Sequence, residues 1–195
     1  LLATGAVVYL NRRTAAEALL TGWLERRGVP AEMRVERLDL NGLVAQVRIG
    51  PKGRPDVILD RVEVDYAVGL PWSREGLGLT PSRVRLVRPQ VRARWADGRW
   101  SLGSLDGLIE EFSRRPPRPD STNPLILIEG GRLTLDTDYG VAPILANARI
   151  ENGKLMRLVA RMPRTALANG PVQGQGLVAA IDLTTVGDDV RLGVV

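Results

Sequence analysis

Four acidic residues and one glycine-rich tripeptide are the parts of this chain whose types and spacing suit chemistry. Asp136 with Asp138, and Asp188 with Asp189, each set two carboxylates close together, an arrangement that can hold a hard cation or share acid and base work. Both pairs stand beside turn-forming residues, where aspartate is favoured because its side chain bonds the local backbone, and a turn role is the reading taken for them. Gly174, Gln175 and Gly176 form a short glycine motif. A phosphate loop must follow a strand and open a helix, and this motif does neither in the sequence pattern. The chain contains no cysteine and no histidine, which removes Ser-His-Asp and Cys-His nucleophilic systems, the common zinc sites and any disulfide framework. The expectation is a protein that is not an enzyme, with no catalytic residues, no metal and no cofactor.

The elements that would position a site are therefore the more informative part. The 195 residues are 44% hydrophobic and carry a net charge of +5, with Lys52 and Lys154 the only lysines. Arginine binds phosphate in a planar, bidentate way, so nucleic acid and lipid headgroups are both conceivable. The arginines stand singly along strand patterns rather than in clusters, and only 4% of residues are aromatic. Nucleic-acid binders usually show basic clusters and stacking platforms, so nucleic acid is not expected as a partner and a solvated outer sheet face is.

Residues 1–10, LLATGAVVYL, are uncharged but too few to span a bilayer, which needs about 20 apolar residues. They read as the outer end of an N-terminal membrane anchor or signal peptide, with a buried strand or helix as the alternative, and Asn11, Arg12 and Arg13 at the water interface. Positive charge prefers the cytoplasmic side, which fits awkwardly with export of the strands beyond it. Residues 11–29 read as an amphipathic helix. Thr14 and Glu17 have capping-box spacing, Leu19, Leu20, Trp23 and Leu24 share a face, Gly28 stands at the C-cap and Pro30 forbids continuation.

From Met33 the period changes from 3.6 to 2. Residues 30–113 and 125–195 read as two β-rich segments, joined by the proline-rich stretch 114–124 as an extended linker. Turns are expected at Asn41-Gly42, Asp97-Gly98, Gly130-Gly131, Asn152-Gly153 and Gly187-Asp188. The Asp97-Gly98 turn sets Trp95 opposite Trp100. Ser104 is the expected cap of a short internal helix bearing Leu105, Leu108, Ile109 and Phe112. In RVRLVRPQVRARW, Val84 and Leu86 are apolar at even positions but Val91, Ala93 and Trp95 at odd ones. One extra residue near Arg88-Pro89-Gln90 keeps the inward face inward, and proline inside a sheet is confined to edges and bulges. A bulge there, or a bend between two strands, accounts for the slip.

Two short helices cannot roof so much aliphatic pleat. Leaving ten Val or Leu side chains in water forfeits about 15 to 30 kcal/mol, more than the net stability of a typical domain, about 5 to 15 kcal/mol. Either the sheet closes on itself as a sandwich or barrel, or an open curved sheet shelters something apolar.

The run LVRPQVRARWADGRWSLGSLDGLI resembles the AsmA-like proteins of double-membraned bacteria, in particular the YdbH branch of bridge-like lipid transporters. The resemblance rests on the strand-ending step of Pro89 and Val91, the Asp97-Gly98 hairpin, and Ser101-Leu102 followed by Leu105. VERLDLNGLVAQVRIG looks like the start of such proteins, and GGRLTLDTDYG is similar to a later strand pair. It implies a mainly β fold, a curved, twisted antiparallel sheet forming an open groove, anchored in the inner membrane with its bulk in the periplasm. Phospholipid acyl chains would lie along the inside and an outer-membrane-associated protein would be a further partner. On that reading the lining is Val62, Val64, Tyr66, Val84, Leu86, Val91, Ala93, Trp95, Leu133, Leu135, Met156 and Leu158. The alternative is a closed β-sandwich, a structural or assembly module of outer-membrane biogenesis with no lipid ligand.

Overall fold

The period-2 pattern after Met33 folds into one sheet. The structure, a computed structural model, describes residues 2–68, 79–114, 123–169, 172–186 and 189–194. Helix α1 (Leu2–Glu25) leads into β1 (Ala31–Leu38), β2 (Gly42–Ile49), β3 (Val57–Val68), β4 (Leu79–Val87), β5 (Gln90–Ala96) and β6 (Arg99–Ser101). Helix α2 (Asp106–Ser113) follows, then β7 (Leu125–Thr137), β8 (Gly140–Glu151), β9 (Lys154–Asn169), β10 (Val172–Val186) and β11 (Asp189–Val194). Strand order is β1-β2-β3-β4-β7-β8-β9-β10-β11. β5 continues the track of β4 between β3 and β7, and β6 pairs with β5. The sheet is mixed rather than antiparallel throughout, because β4 and β5 both run parallel to β7. Those parallel pairs join the two expected β segments into one sheet. Of the expected linker, residues 115–122 lie outside the described residues.

α1 begins well before Thr14, so Thr14 is mid-helix and the expected capping box does not form. Glu17 instead accepts a hydrogen bond from the backbone N–H of Val35 and ties the helix to the edge strand it packs on. A covered edge is protected from pairing with other chains. Leu19 is 71% exposed and Leu20 is also exposed, so the packing of the expected stripe falls to half-buried Trp23 and Leu24. The C-terminus is as read: the Val29 N–H donates to the Leu24 carbonyl and Gly28 takes φ +73°, the Schellman pattern that glycine adopts at least cost. Ser104 does not cap α2. It lies in a single 3-10 turn, Gly103–Leu105, and its N–H and hydroxyl both donate to Asp56 Oδ2, at 2.9 and 2.7 Å. Asp106 instead accepts from the Leu102 N–H and the Ser101 hydroxyl.

Asp97 and Asn152 take φ +52° and +50°, each followed by a positive-φ glycine, so both are the primed turns their sequences predict. Trp95 and Trp100 are directly opposite, ring centroids 5.0 Å apart at 63°. Asn41-Gly42 is not such a turn, since neither residue has positive φ. Asp39 organises this loop: its N–H donates to the Gly42 carbonyl and its Oδ1 accepts the Asn41 N–H. Gly130-Gly131 is not a turn either, because β7 runs straight through it. Gly174 to Gly176 lie inside β10 at a register shift, the geometry of a bulge rather than a phosphate loop. Gly187 and Asp188 lie outside the described residues.

The parity slip at Pro89 extends beyond one strand. Asp60 and Arg61 of β3 together oppose Gln46 of β2. Arg88 and Pro89 lie between the paired positions Val87 and Gln90, opposite two residues on β3 and two on β7. Glu129 and Gly130 of β7 together oppose Asn147 of β8. Three adjacent strands thus carry the same extra residue in one row, and β2 and β8 absorb it on either side. Arg88 at φ +51° and Gly130 at φ +63° take the left-handed conformations this requires, and Asn147 Oδ1 accepts the Gly130 N–H at 2.7 Å. Bulges bend a strand and increase its local twist.

Candidate functional site

Residues directly opposite one another across a ladder share a face, so the registers define the two sides of the sheet. One side carries a continuous aliphatic row: Val35, Ala45, Val62, Leu86, Ile128, Ala148, Leu158, Leu183 and Leu192, each paired with the next, one from every strand track. Beside it runs a second row, Leu38, Leu43, Val64, Val84, Ile126, Ile150 and Leu155. Beyond the bulges the same side continues through Val57, Val91, Leu133 and Ile144, and through Ala93, Leu135 and Ala142. Eight strand spacings make the longest row about 38 Å across at ~4.8 Å each.

Burial along that row is graded. Val35 and Ala45, at the end where α1 packs on β1, are 5% and 1% exposed. The middle positions are half-buried and Leu192 is 61% exposed. Of the twelve lining residues expected from the sequence, only Ala93 is buried and the other eleven are half-buried. Val62, Leu86 and Leu158 stand in the long row, Val64 and Val84 in the second, and Val91, Ala93, Leu133 and Leu135 beyond the bulges. Trp95 continues that last group opposite Thr137. Two do not fit. Met156 has no opposite residue because it is the extra residue of a bulge in β9, and Leu155 takes the row position. Tyr66 is latched to the β1–β2 loop, its hydroxyl donating to the Asp39 carbonyl at 2.6 Å.

The opposite side carries most of the charges, with Val44, Val87, Leu127 and Val159 set among them. Arg85 donates twice to Glu129, at 2.9 and 2.7 Å, and once to Glu63 at 3.3 Å. Glu63 also accepts from Arg61 Nε at 2.6 Å, and Arg61 reaches Glu36 at 3.9 Å. An alternating chain Glu36, Arg61, Glu63, Arg85, Glu129 therefore draws on four strands and spans five, with Arg83 on Asp65 beside it. The Arg61 hydrogen bond, helped by Arg85, holds the Glu63 carboxyl below its usual range, and Arg85 does the same for Glu129. The two glutamates in turn push the Arg85 guanidinium up. Sequence reading anticipated arginines on a solvated face but not this chain of partners, which emerges only once register is known.

Asp136 lines a depression on this polar side and lies 4.0 Å from Arg54. Asp138 occupies the loop between β7 and β8. Asp188 lies outside the described residues, and among the described residues no cluster of acidic side chains has the arrangement of a metal site. No described helix is long and apolar enough to cross a membrane. Comparison with known protein families, with curated proteins and with solved structures finds no match.

Proposed function

We propose that this chain is a segment of a phospholipid conduit, which shelters acyl chains along the aliphatic rows and leaves headgroups in water. The observation that carries the reading is the nine-residue aliphatic row, unbroken by any polar side chain and half-buried or exposed over most of its length. A bilayer leaflet is about 15 Å of hydrocarbon, half of ~30 Å, so the row exceeds two acyl chains laid end to end. Covering half the surface of a chain of about 15 methylenes yields ~6 kcal/mol at ~0.8 kcal/mol per CH₂. Such a hold retains lipid yet lets it slide, since no charged group along the row must be left behind. The bulged row through β3, β4–β5 and β7 supports a curved sheet, since bulges bend strands. Residues 1–10 then serve as the outer end of an inner-membrane anchor, with the strands in the periplasm. The uncharged run and the AsmA-like motifs support that placement.

A closed assembly module is the second reading, favoured by the sealed β1–β2 end, where Val35, Ala45 and Val47 are buried. Mass spectrometry of protein purified without detergent separates the two. The conduit retains stoichiometric phospholipid, whereas a stable, lipid-free protein supports the closed module.

A further inference from the structure

The polar side holds a depression of about 570 Å³ lined by charges of both signs. It forms where the ladder is interrupted. β3 pairs with β5 only at Val91 and Gln90, and β6 takes over the same edge only from Arg94 onward. Between them the Asp56 carbonyl accepts the Arg92 N–H at 2.8 Å. Asp56 is held from above by Ser104, so close that a Cβ on Gly103 would lie 2.6 Å from its carboxyl carbon. That glycine, at φ +65°, leaves the rim open.

Arg54, Arg92 and Arg94 line the depression together with Asp56, Asp136 and Asp138. Elsewhere on this side Arg61, Arg83, Arg85 and Arg149 each meet a carboxylate. Arg92 and Arg94 meet none among the described residues, as is also true of Arg34, Arg48, Arg132, Arg157 and Arg161 on this side, although Asp136 stands opposite Arg94 in the register. Asp136 lies only at 4.0 Å from Arg54, and Asp138 has no ion pair among the described residues. Two guanidiniums two residues apart on one strand, and two carboxylates in the same lining, give the depression both signs of charge. A lone phosphate would meet the aspartates as well as the arginines. A dipolar ion satisfies both ends, since guanidinium forks suit phosphate oxygens and carboxylates accept from a primary ammonium.

We propose that the depression bounded by Arg92, Arg94, Asp136 and Asp138 binds a phosphate ester carrying a primary amine, of the phosphoethanolamine type. The group is either a lipid headgroup or a free small molecule. The site lies on the opposite side of the sheet from the aliphatic rows and does not depend on their occupancy.

Calorimetric titration of the whole chain with O-phosphoethanolamine, inorganic phosphate and ethanolamine tests this. The expected result is saturable binding of O-phosphoethanolamine at least tenfold tighter than of either part. R92Q/R94Q should weaken it at least tenfold, whereas D136N/D138N should keep phosphate binding and lose the preference for the amine. All four side chains are solvent-facing, and an unchanged urea midpoint confirms that each variant folds. Equal affinity for phosphate and O-phosphoethanolamine, absence of saturable binding, or an undiminished R92Q/R94Q variant overturns the proposal. Vesicles with ethanolamine headgroups decide the source: capture by the native chain but not by R92Q/R94Q points to lipid, and binding of the soluble probe alone points to a free phosphate ester. Because the soluble probe has no acyl chain, failure here leaves the reading of the aliphatic rows intact.

Discussion

Placing the same charge at two positions on the aliphatic side measures how open that side is. Val47 and Val64 both belong to it, but Val47 is 7% exposed whereas Val64 is half-buried. Full burial of a valine is worth about 1.5 to 3 kcal/mol, so Val64→Asp forfeits roughly half of that, ~1 kcal/mol. Lower strand preference adds up to about 1 kcal/mol, for a total near 2. Its carboxylate keeps access to water and incurs no burial penalty. Val47→Asp loses the full apolar contribution and also strands a charge without a partner, which costs about 3 to 5 kcal/mol when a buried ion lacks its counter-ion. With a urea slope of ~2 kcal/mol/M, the Val64 variant should lose about 1 M in midpoint and the Val47 variant 2 M or more, enough to unfold a domain of ordinary stability. Urea melts of delipidated protein followed by circular dichroism give both numbers. Equal, large losses would mean that the face is sealed around Val64, and the open-sheet reasoning would fail.

Glu63 and Glu129 have depressed folded values, so they stabilise the fold above the ordinary carboxylate value, about 4.3, and lose that contribution as pH falls through their lowered ones; Arg85→Gln should flatten the loss of urea midpoint as pH falls below about 4.3. Asn152 takes φ +50° whereas Asn41 has no positive φ, so Asn152→Ala should cost about 1 kcal/mol in thermal or urea melts, and Asn41→Ala clearly less. Asp56→Ala removes both bonds that hold Ser104 and should raise amide exchange across the 3-10 turn and α2 while β7 to β9 stay protected.

Much of the fold was legible because period-2 alternation and primed-turn dipeptides act locally. Asp97-Gly98 and Asn152-Gly153 need nothing beyond their own φ preferences, and both formed as read. Gly130-Gly131 carries the same local signal yet lies inside β7, because its neighbour track bulges at Arg88-Pro89 and two glycines let β7 follow. The clue was available: Val57 and Leu59 against Val62 and Val64, and Ile126 and Ile128 against Leu133 and Leu135, repeat the parity slip of Val84 and Leu86 against Val91 and Ala93. Three slips of one residue fit strands lying side by side. What no local pattern carries is which strands adjoin. The parallel pairing of β7 with β4 and β5 spans a long connection, and with it come the nine-residue row and the Arg85 charge chain. Glu17 was read as a cap by spacing alone, but a helix that starts at Leu2 leaves it free for Val35.

The most direct measurement is site-specific photocrosslinking in cells. A photoreactive residue at Val64 or Leu158, on the aliphatic side, should yield protein bearing phospholipid acyl adducts by mass spectrometry. The same residue at Arg157, next to Leu158 but on the charged side, should yield little or none. Equal labelling at Leu158 and Arg157, or none at any of the three, would contradict an acyl-chain conduit.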